Sequence, residues 1–279
     1  MAAWSGRIVR VRATSPARGS DRPRTRYLPP QHGAWAFLGL PVLLALPVTP
    51  PSPLLLALAV AWVAAYPASY AALGLVRARR PERFRRPLLV WSLLALAAAL
   101  VLVWARPWLL LVGVGYLLLF TVNLAHARRN DERALLNDAV FVLECALMVV
   151  VTWAVGAGGR SWTPPPLDAV PTQVWVQTVT CALVLAGSTL HVKSLVRERR
   201  DPRFARASRV LALAGLPMAA GLATWWGIPS GLWLLLPFVL MAGRSMAAGR
   251  LASARPARIG LVELGCFVAA VLAAVLASA

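Results

Sequence analysis

Apolar runs separated by short charged or proline-rich interruptions recur along almost the whole chain. They mark out nine segments, at 33–49, 54–75, 88–105, 107–124, 138–156, 173–192, 209–226, 229–243 and 259–277. Most are close to the ~20 residues that carry a helix across a hydrocarbon layer. The pattern therefore predicts an all-α fold, a polytopic transmembrane bundle of about nine helices. The eighth segment is short and the first is interrupted by Pro41 and Pro47, so these two are expected to tilt, kink or stop short of a full crossing.

Two of the polar interruptions resemble one another. Leu75 to Arg86, LVRARRPERFRR, matches Leu195 to Arg206, LVRERRDPRFAR, at eight of twelve positions, with an offset of 120 and no gap. Arginine richness inflates that score, but the shared Leu-Val pair and the shared Phe84 and Phe204 do not come from charge. The expected unit is a four-helix parallel repeat, about 31–124 and about 138–243, with a ninth helix at about 259–277 added.

Composition agrees with a membrane protein: of 279 residues 59% are hydrophobic, and the mean hydropathy is +0.67. A net charge of +19 would suggest nucleic acid if it covered one folded face. Here the arginines stand at the ends of apolar segments, so no nucleic acid is expected and anionic lipid headgroups are the expected partner. Alternate loops divide the 29 basic residues into 27 and two, the two being Arg106 and Arg160. That asymmetry predicts a bacterial cytoplasmic (inner) membrane protein with its N-terminus cytoplasmic and its C-terminus external. Residues 1–26 hold seven arginines and no apolar stretch, and they are expected to be a disordered basic tail before a transmembrane domain at 27–279. Cys145, Cys181 and Cys266 lie singly in apolar segments, which implies neither a disulfide framework nor a metal site.

Four polar clusters are expected to converge on the cytoplasmic ends of the helices as one pocket. Gln31 and His32 enter the first helix, where Trp35 offers the alternative of plain interfacial anchoring. Asn123, His126 and Asn130 share a helical face at i, i+3 and i+7. Asp131, Glu132, Arg133, Asn137 and Asp138 follow within nine positions, far denser than a hairpin needs, although Asn137 or Asp138 could serve only as a helix cap. Glu144 lies about 9 Å inside its helix start, where a carboxylate must be paired, protonated or wet. Lys193 or an arginine is its expected partner. His191, Ser194, Glu198 and Asp201 line one face of the last cluster, and Lys193, Arg197 and Arg200 line the next. Salt bridging on a solvated extension would explain the outer arginines, but it explains His191 and Lys193 at the membrane boundary less well. Glu263 is read as a shallow carboxylate near a helix start, favoured by the dipole and without a role.

QHGAWA at the first helix, NDERALLND between the fourth and fifth, and VKSLVRER after the sixth resemble the YwiC-like family of bacterial membrane proteins. The resemblance covers most of the chain beyond the tail. It implies important residues at Gln31, His32, Glu132, Arg133, Asn137, Asp138, Lys193, Arg197 and Glu198, and it carries no reaction with it. A more distant, architectural similarity is to UbiA-type intramembrane prenyltransferases, whose diphosphate-binding motifs follow helices 2 and 6. Their Asp-rich, Mg²⁺-holding motifs are missing here: Tyr66 to Arg80 contains no acid, and only Glu198 and Asp201 stand in the second copy.

Three functions follow as expectations. The first is a prenyltransferase-like fold that binds an isoprenoid or lipid phosphate through arginine and lysine. The second is a secondary transporter or permease for a small anion, with Glu144 and a histidine relaying protons. The third is a membrane assembly protein. An apolar cavity between helices 2 and 6 would favour the first, and a polar path toward the outer face the second.

Overall fold

The computed structural model describes residues 27–29, 32–129, 134–251 and 255–279, and of His32, Arg250 and Leu251 the backbone alone. The basic tail lies outside the described residues. Within them the chain is helical throughout: α1 (His32–Ala45), α2 (Leu54–Arg77), α3 (Glu82–Ala105), α4 (Leu109–Arg128), α5 (Leu135–Ala157), α6 (Thr172–Val192), α7 (Pro202–Trp226), α8 (Leu235–Met246), a single turn α9 (Ala248–Leu251) and α10 (Pro256–Ser278).

The breaks fall where proline and charge accumulate. The start of α7 shows the local chemistry best: Pro202 occupies the first turn, where its missing N–H costs nothing, and the Asp201 carboxylate accepts a hydrogen bond from the Arg203 backbone N–H at 2.9 Å. The end of α6 is irregular. Lys193–Arg197 continue it as a π-helical turn, closed by the Glu198 N–H donating to the Lys193 carbonyl at 2.7 Å. A π turn shifts the register of a helix face, and such turns concentrate at functional sites.

Seven helices, α2 to α7 and α10, are long and apolar enough to cross a membrane. The two shorter apolar stretches are Gly33–Val48 and Ser230–Met246, the same two expected to be irregular, and both run lengthwise. Phe37 of α1 stacks on Phe141 early in α5, while Thr49 lies against Gly156 at the other end of α5. Leu234 packs with Trp226 and Ala277 at one end of the bundle, while Arg244 pairs with Glu263 near the start of α10 at the other.

Packing is uneven. The interior is built by α1, α5, α6, α8 and α10, with Leu40, Leu44, Val149, Val155, Val174, Leu185, Phe238 and Ala270 almost fully buried. The outer α3 and α4 expose Leu89, Leu93, Leu100, Leu111, Leu117 and Leu118. Such an apolar exterior on helices whose backbone bonds are all internal is what lipid as solvent selects. The 120-residue offset carries the bounds of α2, α3 and α4 to within two residues of Thr172–Arg197, Pro202–Trp226 and Ser230–Met246. It does not carry α1 onto α5, because His32–Val48 falls on the end of α5 and the loop beyond it. The expected four-helix unit thus has no match for its first helix. The helices of the two copies also differ in burial: α6 packs against α1, α5, α7, α8 and α10, while α2 packs chiefly on α3.

Candidate functional site

The ends of α2, α4, α6 and α8 meet the starts of α1, α3, α5, α7 and α10 at one end of the bundle, which carries all the described arginines except Arg106 and Arg160. Two groups of polar side chains lie just inside this arginine-rich end.

The first group joins the π turn to α5. Lys193 is 2% exposed, and its ammonium forms an ion pair with Asp138 in the first turn of α5. It also stands 6.0 Å from the centre of the Phe204 ring on α7. Glu144, expected to be the partner of Lys193, is instead engaged from α4: Asn123 donates to its Oε1 at 3.3 Å, and the Tyr116 hydroxyl donates to its backbone carbonyl at 2.7 Å. The reason is axial. Lys193 sits level with the first turn of α5, and Glu144 lies six residues, about 9 Å, further along that helix. Asp138 is not a cap either, because Ala134 holds that position and no side chain bonds there.

The second group ties four helices together and includes residues the sequence did not single out. Arg244 of α8 is ion-paired with Glu263 of α10, both buried. His191 of α6 places Nε2 4.0 Å from Glu263 Oε1, and its Nδ1 lies 3.3 Å from the Ser208 hydroxyl of α7. The Ser194 hydroxyl donates to the His191 carbonyl at 2.7 Å. Glu263, assigned no role above, is therefore a central charge, and Arg244, one of the 27 basic residues counted together above, is an interior one. The available signal was the depth of Glu263: a carboxylate within the apolar segment 259–277 requires a partner, and Arg244 borders the segment 229–243.

A third feature runs away from both groups. Gln177, Thr180, Ser188 and His191 fall within an arc of about 80° on α6, and each is at most 1% exposed. Among the described residues, both amide atoms of Gln177 and the hydroxyls of Thr180 and Ser188 have no hydrogen-bond partner. Over its about 21 Å of helix this arc is interrupted by Val184 and bordered by Cys181 and Gly187.

Other expectations are placed differently. Glu198 and Asp201 do not share a face with His191, since the π turn ends the helix between them; they line a surface cleft of about 620 Å³ formed by Val196–Pro202. Arg197 and Arg200 are exposed. The His126 Nδ1–H donates to the Val122 carbonyl of its own helix at 2.9 Å, so that ring serves α4 rather than the buried groups. Asn137 is half-buried beside Asp138. Gln31, Asn130, Asp131, Glu132, Arg133 and the side chain of His32 lie outside the described residues. Among the described residues no three His, Cys, Asp or Glu side chains are grouped to hold a metal.

Long apolar helices around buried, mutually neutralised charges define a polytopic α-helical membrane protein with an ionised interior. The family signature described as YwiC-like protein matches residues 28–153. "Uncharacterized protein YwiC" of Bacillus subtilis (strain 168) is 31% identical over 182 residues, 64% of this chain and 70% of the relative. An uncharacterized protein of Haemophilus influenzae is 29% identical over 189 residues, 66% of this chain and 73% of the relative. The chain belongs to the YwiC-like family. No solved structure matches it.

Proposed function

We propose that the protein is a secondary transporter whose path for a small solute follows the buried polar face of α6. The observation that carries this reading is the row of Gln177, Thr180, Ser188 and His191, with unpartnered amide and hydroxyl groups in the interior of a lipid-dissolved bundle. An unpartnered polar group in an apolar medium costs several kcal/mol, so these side chains call for water or a solute along the face. The row begins at the charged groups and extends about 21 Å toward the other end, roughly two-thirds of a ~30 Å hydrocarbon layer.

The prenyltransferase-like reading receives less support. It needs an apolar cavity between α2 and α6, whereas α2 packs chiefly on α3, and the clefts at Val196–Pro202 and at Gly243, Met246, Ala247 and Gly249 open on the surface. The interior cations are matched by carboxylates, Lys193 by Asp138 and Arg244 by Glu263. The exposed arginines at 77–86, 197–209 and 255–258 suit anionic lipid headgroups, which would anchor this end.

Thiol accessibility tests the path. In a chain with Cys145, Cys181 and Cys266 replaced by serine, single cysteines at Thr180 and Ser188 are expected to react with a membrane-impermeant methanethiosulfonate. One at Val149, in the dry core, is not. Equal, negligible labelling at all three positions would remove the transport reading.

A further inference from the structure

We infer that His191, Glu263 and Arg244 form a proton-gated site for a small monovalent anion, which rests on the transport reading and names its solute class. With a neutral imidazole the group balances its own charge, because Arg244 and Glu263 pair as one cation and one anion. Among the described residues His191 Nε2 has no hydrogen-bond partner, and it faces Glu263 Oε1 at 4.0 Å. A proton arriving there makes an imidazolium, so that two cations surround one carboxylate. A net charge at that depth is costly unless matched, and an anion of single charge matches it. Arg244 Nε and the Ser188 hydroxyl, one turn before His191, are buried without hydrogen-bond partners among the described residues and supply donors to such an anion. An anion entering the unprotonated group would find Arg244 already matched by Glu263 and no net positive charge to offset its own burial, and that cost would exclude it. Proton and anion therefore enter together.

The other titratable groups on elements packed against α6 leave this balance in place. Asp138 of α5 is matched by Lys193 of the π turn, and Glu144 of α5 is held by Asn123. Cys145, Cys181 and Cys266 are buried free thiols. From α7 the imidazole meets the Ser208 hydroxyl, from α8 Arg244 and from α10 Glu263. The described side chains of α1, Gly33 to Ala45, include no titratable group.

The test uses the full chain in proteoliposomes with a pH dye in the lumen, an acidic exterior and a clamped membrane potential. Chloride, nitrate and inorganic phosphate are supplied in turn, with radiolabelled chloride and phosphate to follow the anion. Wild type is expected to acidify the lumen only when one of these anions is present. His191→Gln is expected to lose both fluxes by about tenfold or more. Glu263→Gln leaves Arg244 unmatched, so it is expected to take up anion without acidification, an outcome that a misfolded protein cannot give. The inference is overturned if none of the three anions drives acidification, if His191→Gln acidifies as wild type does, or if Glu263→Gln stays coupled. It is equally overturned if both variants lower only the melting temperature. Labelled cysteines at Thr180 and Ser188 together with no anion-driven acidification would leave the path standing and remove this site alone.

Discussion

Lys193 shows how one residue in a dense basic stretch acquires an individual role. Its neighbours Arg197, Arg199, Arg200 and Arg203 are exposed, whereas the π turn carries Lys193 inward to Asp138. Lys193→Ala leaves Asp138 uncompensated and is expected to destabilise the protein by about 3 kcal/mol. Arg203→Ala, on the solvated face, is expected to change stability by no more than ~0.5 kcal/mol. Replacing both partners, Lys193→Met with Asp138→Leu, removes the charges together and is expected to recover most of the loss. Thermal melting in mild detergent reads all three, and equal melting temperatures for Lys193→Ala and Arg203→Ala would contradict the buried pair.

Between elements, close approaches fall on glycines, and their neighbours decide what a methyl group would do. At Gly231, just before α8, a Cβ would run into the backbone carbonyl of Ala223 on α7, which cannot turn aside. At Gly187 on α6 it would meet the terminal methyl of Met241 on α8, the mobile end of a flexible side chain. Gly231→Ala is therefore expected to cost about 3 kcal/mol, and Gly187→Ala about 1 kcal/mol or less. Melting temperatures of the two variants check this, and the reverse order would mean that α7 and α8 do not meet as described. The π turn acts at the same scale, because it breaks the face that would have joined His191 to Glu198 and Asp201.

For the whole molecule, the two shorter helices decide the topology. Both α1 and the Ser230–Met246 stretch run the length of the bundle, so nine crossings are expected. The basic residues are then expected to face the cytoplasm, with the two ends of the chain on opposite sides. A reporter fused after Ala279 is expected to act as external, and one inserted after Ala247, between α8 and α10, as cytoplasmic. The same side for both would show that α10 does not cross.

The sequence alone determined what depends on local composition. Proline, charge runs and segment length placed most helix ends to within about four residues, because a lipid-facing helix needs an unbroken apolar stretch; α3 and α7 begin six and seven residues before the expected 88 and 209, since their first turns are charged and lie outside that stretch. The membrane class and the arginine-rich end followed from the same pattern. Asp138, Glu144, His191 and Lys193 stood out because a charge or imidazole at the membrane boundary is expensive wherever it points. Which of them meet was decided only by tertiary packing. Partners depend on how far each helix is rotated and slid against the next, so Lys193 took Asp138, Asn123 took Glu144, and His191 met a carboxylate 72 residues away at Glu263. Gln177, Thr180 and Ser188 were legible as one face of α6 by period alone. Their burial without partners was not, since only the helices packed around them determine whether a polar face looks onto solvent, a partner or the interior.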